Sequence, residues 1–467
     1  MATITFLGAA QKVTGSCHLL DSEATGQVLL DCGMHQGGDA IERLKSEDFQ
    51  FSPSQISAVV LSHAHLDHSG LLPKLVHQGF RGDIHCTQAT RDLLEIMLKD
   101  SAGLYERDLE RENLRRARRG KKAIQPEYSK RDVKQVLSQC VTARYGEKVQ
   151  LSEDAQLVFH DAGHILGSSI VEITLHEQDT HKRVVFSGDL GKKSAALMKD
   201  PEMLNKADVV LMEGTYGDRN HRTLDDTFEQ LRDILHDAWN RGGNVMIPSF
   251  AVGRTQEILF HLGRLLKSGE LDSWQIFLDS PMAIEITKIY DQWIEILDHK
   301  DTDPLFNGQS QPLQTFLPNL QFAVTPDESM AINKIRKGAI IIAGSGMCTG
   351  GRIRHHFKHR IWNERNTLVF IGFQAYGTLG RILVDGAKRI RMFGDEYIVK
   401  ANVETLGGFS AHAGQTELIE WAAHFSNKPR IFLVHGEPRA LDGLSRKLWQ
   451  EHKITSEIPC QGQSIAF

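Results

Sequence analysis

Nine consecutive residues, Ser62-His63-Ala64-His65-Leu66-Asp67-His68-Ser69-Gly70, place three imidazoles and a carboxylate within six positions. A spacing of two sets His63 and His65 side by side on an extended segment, and the turn after them aims Asp67 and His68 elsewhere. One short loop can therefore serve two adjacent cations. Imidazole with carboxylate suits Zn²⁺ ahead of Mn²⁺ or Fe. A polar loop that merely happens to be histidine-rich is the alternative, but so many imidazoles rarely share a loop without a ligand. Two further segments set a ligand-type side chain beside a glycine: Asp161-Ala162-Gly163-His164 and Phe186-Ser187-Gly188-Asp189. Either alone reads as a surface or capping residue. Together, after the histidine loop, they read as the remainder of a dinuclear site.

Each of these groups follows an apolar run of strand type. Short apolar runs at 4–8, 28–30, 58–61, 156–160, 170–175, 183–187 and 209–213 predict a sheet-rich domain. Between them, 88–119 switches to helical periodicity, with Leu93, Leu94, Met97, Leu104, Leu109 and Leu114 on or near one face. From about 240 the runs 244–248, 275–279, 339–343 and 367–371 alternate with helical patterns, as parallel βαβ units require. Short strands return near Arg389 and continue to Phe467, and 301–318 reads as a loop. The fold class is α/β, with one α/β domain inserted into another.

The chain has 467 residues, 41% hydrophobic and 24% charged, enough to bury a large core. Mean hydropathy is −0.30, and no apolar run approaches the roughly 18–20 residues that span a bilayer. The N-terminus lacks a basic stretch before its apolar residues and reads as a strand and a Gly turn, so a cytoplasmic protein with no membrane partner is expected. A net charge of −5 argues against bulk capture of nucleic acid but leaves room for a local basic groove. The six cysteines form no C-x-x-C and are expected as reduced thiols.

The order H-x-H-x-D-H, then Gly-His, then Gly-Asp, resembles the metallo-β-lactamase fold. Leu211-Met212-Glu213-Gly214-Thr215-Tyr216, Gly408-Phe409-Ser410-Ala411-His412-Ala413-Gly414 and Leu433-Val434-His435-Gly436-Glu437 look like the three motifs of its β-CASP branch, in order. Within that branch the chain most resembles the cleavage-and-polyadenylation endonuclease and its compact prokaryotic relatives. The resemblance implies a metallo-β-lactamase αββα sandwich over 1–213 and 391–467, with a parallel α/β β-CASP domain inserted at 214–390. It implies two Zn²⁺ ions per chain: one on His63, His65 and His164, the other on Asp67, His68 and His435, with Asp189 bridging. Asp31, in Leu29-Leu30-Asp31-Cys32-Gly33, would support the ligand loop through hydrogen bonds. A hydroxide bridging the metals would be the nucleophile. His412 would protonate the leaving oxygen with Glu213 orienting it, so that Asp67, His412 and Glu213 carry the catalysis. The RNA-processing members have His at the third motif where the DNA-repair branch typically has Val, and here it is His435. A zinc-dependent ribonuclease, an endonuclease acting on single-stranded RNA as a homodimer, is the expected function.

Three loops of the inserted region share a pattern that is visible without the family. Ser249-Phe250-Ala251-Val252-Gly253-Arg254, Gly344-Ser345-Gly346-Met347 with Gly350-Gly351-Arg352, and Gln374-Ala375-Tyr376-Gly377-Thr378-Leu379-Gly380-Arg381 each follow a strand and close on Gly-Arg at a helix start. Ligands of parallel sheets bind at that edge, helix N-termini favour anions, and Arg fits phosphate bidentately. Ser249, Arg254, Ser345 and Arg352 are the expected substrate contacts; plain turn chemistry is the alternative. The run Arg115-Arg116-Ala117-Arg118-Arg119-Gly120-Lys121-Lys122 is either a solvated helix end or a patch that guides RNA, and without aromatics it is no stacking platform. Two other functions use the same residues: a hydrolase of small esters or thioesters, which needs a small closed pocket, and a non-catalytic RNA-binding scaffold, which would have lost ligands.

Overall fold

The computed structural model of the chain describes residues 2–35, 40–177, 180–302, 312–372 and 374–467. These divide into two compact units: Met1–Lys193, Lys199–Asn220 and His412–Phe467 form the first, Ser194–Met198 and His221–Ala411 the second. The sequence-based limits of the insertion, 214 and 390, differ from these. The reason lies past the expected end: strand Asn402–Thr405 pairs in parallel with Thr367–Phe370, so the chain adds a last strand to the inserted sheet before returning.

The first unit is built on two sheets of seven strands. One runs, in spatial order, Ser464–Ala466, Thr3–Phe6, His18–Ser22, Gly26–Leu30, Ile56–Val60, Asp83–Thr87 and Cys140–Ala143. The other runs Ser456–Glu457, Arg430–Val434, Val209–Glu213, Thr180–Phe186, Ser169–Glu177, Ala155–Asp161 and Lys148–Ser152. Ile4, Phe6, Leu30 and Val60 from one sheet and Leu157, Phe159, Phe186 and Phe432 from the other meet in a shared core. Each such buried side chain contributes about 1.5–3 kcal/mol relative to exposure. Strand Ala155–Asp161 alternates buried and half-buried positions, whereas all five residues of Val209–Glu213 are buried because both its faces are covered. Its outer face meets helices Gln415–Ala423 and Pro438–His452 through Trp421, Leu441, Leu444 and Leu448. Helices Gln88–Arg118 and Lys130–Gln139 pack on the other sheet, which completes the αββα order.

The helix expected over 88–119 is present, its N-terminus capped by Thr87, whose side chain accepts from the Thr90 N–H. Its apolar stripe is shorter than the periodicity predicts. Leu93, Leu94, Met97 and Leu109 are buried, but Leu104 and Leu114 are exposed.

The second unit is built on a six-stranded sheet, in spatial order Leu320–Phe322, Gln275–Leu278, Ala339–Ala343, Val245–Pro248, Thr367–Phe370 and Asn402–Thr405, and every pairing in it is parallel. The hairpin Arg389–Met392 with Asp395–Ile398 lies beside this sheet in sequence. The loop expected over 301–318 falls partly outside the described residues; its described ends belong to short helices, His299–Thr302 and Pro312–Phe316. The six cysteines are all unpaired. Among the described residues no helix is long and apolar enough to cross a membrane.

Candidate metal centre

Six strands of the first unit end at the same set of side chains. Asp31 follows Gly26–Leu30, the histidine loop follows Ile56–Val60, His164 follows Ala155–Asp161, Asp189 follows Thr180–Phe186, Glu213 ends Val209–Glu213, and His435 follows Arg430–Val434. His412 joins them through its backbone, which bridges Gly191, and through the Ala413 N–H donating to the Leu190 carbonyl at 2.8 Å. The ends approach so closely that glycine is required. A Cβ on Gly33 would lie 1.7 Å from the Asp67 carbonyl oxygen, and one on Gly191 would lie 1.9 Å from that of Gly163.

Two groups result. His63, His65, His164 and Asp189 offer ligand atoms all within 4.8 Å of one another, and so do Asp67, His68 and His435. His65 Nδ1 stands 3.1 Å from His63 Nε2 and 3.4 Å from His164 Nε2. Asp189 faces both groups: Oδ2 is 3.5 Å from His63 Nε2, 3.6 Å from His164 Nε2 and 3.3 Å from His68 Nε2, while Oδ1 is 3.4 Å from His435 Nδ1. Asp67 Oδ2 lies 3.9 Å from His435 Nε2.

These residues fit a pair of divalent cations on two counts. Among the described residues, the buried atoms His68 Nε2, Asp189 Oδ1 and His435 Nε2 have no hydrogen-bond partner. Leaving such groups unpaired costs about 1–3 kcal/mol each, a cost that coordination removes. The donors, imidazole and carboxylate, are also those that zinc takes. Burial holds the His63 imidazole well below its usual range and lowers that of His65 to about 4, which favours the neutral, ligating form. Burial also pushes His68 down, but Asp189 and Asp31 outweigh it and raise the imidazole well above its usual range. Burial raises the Asp189 carboxyl, and His435, His68 and His412 overcome that and hold it well below the carboxylate range.

The supports are as specific as the groups they carry. Asp31 is fully buried; its Oδ2 meets His68 Nδ1 at 2.6 Å and accepts from Ser16 Oγ and Ser62 Oγ, both at 3.0 Å, while its Oδ1 accepts from the Ser62 N–H at 2.8 Å. Ser62 Oγ also stands 3.0 Å from His63 Nδ1. Asp31 and His435 both adopt positive φ, 62° and 48°. Such backbone costs of order 1–3 kcal/mol in a non-glycine residue and persists only where the surroundings over-determine it. Glu213, fully buried, accepts from the Leu190 N–H at 2.7 Å and the Thr215 N–H at 3.1 Å, and its Oε1 is 3.1 Å from His412 Nδ1. Asp189, Glu213 and His435 form a third close group, but these bonds already engage Glu213.

Ser16, Ser62 and Thr215, whose Oγ1 lies 3.2 Å from His435 Nδ1, escape the sequence reading. Ser62 and Thr215 stand inside motifs quoted above. Ser16 comes from an unrelated strand connection and carries no signal.

The substrate contacts expected on the second unit are occupied within it. Arg254 bonds to Glu257 and to the Phe409 carbonyl. Arg352 donates to Asp279 Oδ1 at 2.7 Å and to the Ala323 and Val324 carbonyls, both at 2.8 Å. Ser249 is buried and accepts from Thr255 Oγ1 at 3.0 Å; Ser345 Oγ accepts from the Gly350 N–H at 3.2 Å. These four side chains tie loops together. The basic run 115–122 is exposed apart from a half-buried Arg116, whose Nε donates to the Lys122 carbonyl at 2.7 Å.

Residues 11–241 match the metallo-beta-lactamase superfamily, 255–383 the Beta-Casp domain, and 396–459 the Zn-dependent metallo-hydrolase RNA specificity domain. The chain is 38% identical over 442 residues to "Ribonuclease TTHA0252" of Thermus thermophilus, covering 94% of each chain. It is 31% identical to "Transcription termination factor FttA" of Methanothermobacter thermautotrophicus, covering 99% of this chain and 71% of that one. The protein of that name from Pyrococcus abyssi is 32% identical, over 98% of this chain and 70% of its own. The chain belongs to the β-CASP branch of the metallo-β-lactamase superfamily, the metal-dependent hydrolases that carry a parallel α/β insertion.

Proposed function

We propose that this protein is a zinc-dependent ribonuclease that cuts single-stranded RNA internally. Its two ions would be held by His63, His65 and His164 on one side and by Asp67, His68 and His435 on the other, with Asp189 shared. The observation that carries this reading is the position of Asp189, whose two oxygens face imidazoles of both groups while Oδ1 has no hydrogen-bond partner among the described residues. When bound, a pair of cations lowers the pKa of water between them and neutralises charge on the attacked phosphate.

The rest of the work falls to the chain. Glu213 holds Nδ1 of His412, so the protonated ring delivers its Nε2 proton to the leaving oxygen as the phosphorus–oxygen bond breaks. Asp31 fixes the tautomer of His68, so that Nε2 is the ligating nitrogen. A ribonuclease among the relatives and a match to an RNA specificity domain support RNA as substrate. A homodimer and a cytoplasmic location belong to the same reading and are checked by light scattering and by fractionation.

The test is incubation of zinc-loaded protein with end-labelled single-stranded RNA and matched DNA. Internal RNA fragments, with DNA spared, are the expected result. Terminal nucleotides alone would replace the endonuclease by an exonuclease, and no cleavage of either strand would remove the nuclease. Elemental analysis should find close to two zinc ions per chain; a single ion at saturation would overturn the shared carboxylate.

A further inference from the structure

Tyr376 is 94% exposed, although a phenol ring ordinarily covers much of its surface in a folded chain. It lies between strand Thr367–Phe370 and helix Leu379–Val384, at the carboxyl edge of the parallel sheet. Hydrogen bonds hold the flanks of its loop. Gln374 Nε2 donates to the Gly346 carbonyl at 3.0 Å and to that of Gly372 at 3.2 Å, the Gly380 N–H donates to the Met347 carbonyl at 3.1 Å, and Thr378 Oγ1 donates to the Ala375 carbonyl at 2.7 Å. The exposed ring is thus carried on a built loop.

The loop that receives those bonds leads to a second exposed ring. Arg354 Nη1 donates back to the Thr349 carbonyl at 3.4 Å, and its guanidinium carbon lies 4.9 Å from the centroid of the Phe393 ring. His355 stands 4.8 Å from that ring on its own account, tilted by 31°. Phe393 is 48% exposed and occupies the turn of the hairpin Arg389–Met392 and Asp395–Ile398, with φ 53°, before Gly394 at φ 92°. A two-residue turn with both φ positive selects Asn-Gly. Phe there costs roughly 1–2 kcal/mol and does nothing for the turn. Lys358 and His359 are exposed on the helix that carries Arg354 and His355. Aromatic faces interleaved with cations are what single-stranded nucleic acid requires, because every base has a π-face and every nucleotide a charge.

We propose that Tyr376 and Phe393 are stacking platforms for the bases of single-stranded RNA, with Arg354 beside Phe393 as the cation for the phosphate of the base stacked there. The proposal rests on the RNA reading above and concerns residues of the second unit alone.

Binding of a fluorescent 2′-O-methyl oligouridylate to the zinc-loaded protein tests it, measured by anisotropy against an abasic strand of equal length. Tyr376→Ala and Phe393→Ala should each weaken the oligouridylate about five- to a hundredfold, with Tyr376→Phe close to wild type. The abasic strand should bind wild type weakly and be indifferent to both alanine variants. With cleavable RNA the alanine variants should raise KM and spare kcat, and hydrolysis of bis-p-nitrophenyl phosphate should not change. Equal binding of abasic and normal strands, wild-type affinity in both alanine variants, or equal loss in Tyr376→Phe overturns the stacking while leaving an RNA-cutting protein intact. A wild-type protein that neither binds nor cuts RNA removes the reading underneath.

Discussion

Loops at the carboxyl ends of strands carry polar side chains in both units, and the two sets behave in opposite ways. In the first unit, His63, His65, His68, His164, Asp189 and His435 point ligand atoms at one another across 3.1–3.6 Å, and two of those atoms, His68 Nε2 and Asp189 Oδ1, have no hydrogen-bond partner among the described residues. In the second unit, Arg254, Arg352, Ser249 and Ser345 are bonded to carboxylates, carbonyls, a hydroxyl and a backbone amide of their own unit. A polar group buried without a partner is costly, so a cluster of them calls for a missing charge. A polar group already paired contributes to holding the fold. Residue type at a sheet edge therefore has to be read together with the partners that the fold supplies.

The largest way to break this contrast is Asp189→Ala. If the first unit's atoms await cations, the variant should lose most of its zinc by elemental analysis, and RNA cleavage should fall by at least about 10³-fold, since metals supply several kcal/mol of charge stabilisation. Full zinc retention would mean that the groups are held by something else. Next comes His412→Ala, which removes a group beside the cluster but outside both ligand sets: zinc should stay and the cleavage rate should fall about 10²–10⁴-fold. Zinc loss there would make His412 a ligand.

On the other side stands Arg352→Ala. If its hydrogen bonds serve the fold, denaturant unfolding of the second unit should show a loss of about 1–3 kcal/mol, with the salt dependence of RNA binding unaltered. Unaltered stability with a shallower salt slope would return Arg352 to the substrate.

The smallest effect separates the units by pH. In the second, burial raises the Asp279 carboxyl, but His356, Ser329 and Arg352 outweigh it and hold it below its usual range; burial lowers His356, against the pull of Asp279. An imidazole kept neutral when folded costs stability as pH falls below about 6.5, where the unfolded chain protonates, and Asp279 adds to the loss below about 4. In the first unit, burial lowers His160, but hydrogen bonds to Glu172 and Glu202 raise it to about 9. That contribution is complete below about 6.5 and is lost as pH rises through about 9. Melting curves from pH 5 to 10 should show the second unit weakening on the acid side and His160→Gln flattening the alkaline fall of the first. The same profile in His160→Gln as in wild type would discard the assignment.

Strands and ligand-type residues are legible along the chain because both are local. Apolar runs at 209–213 and 339–343 are long enough to declare buried strands, and three histidines within six positions declare a cation without any knowledge of the fold. The long helix was legible to its last residues, although its exposed Leu104 and Leu114 show that periodicity marks a face without marking where its cover ends. Three matters depend on residues that lie far apart in the chain. Ser16 reaches Asp31, and Ala9 accepts from His435, across strand connections whose meeting is set by sheet order. The inserted sheet keeps Asn402–Thr405 because a parallel partner was waiting at Thr367–Phe370. Arg352 was spoken for by Asp279, a residue 73 positions earlier. Side-chain availability is a property of the neighbours, and neighbours distant in the chain meet only once the fold has closed.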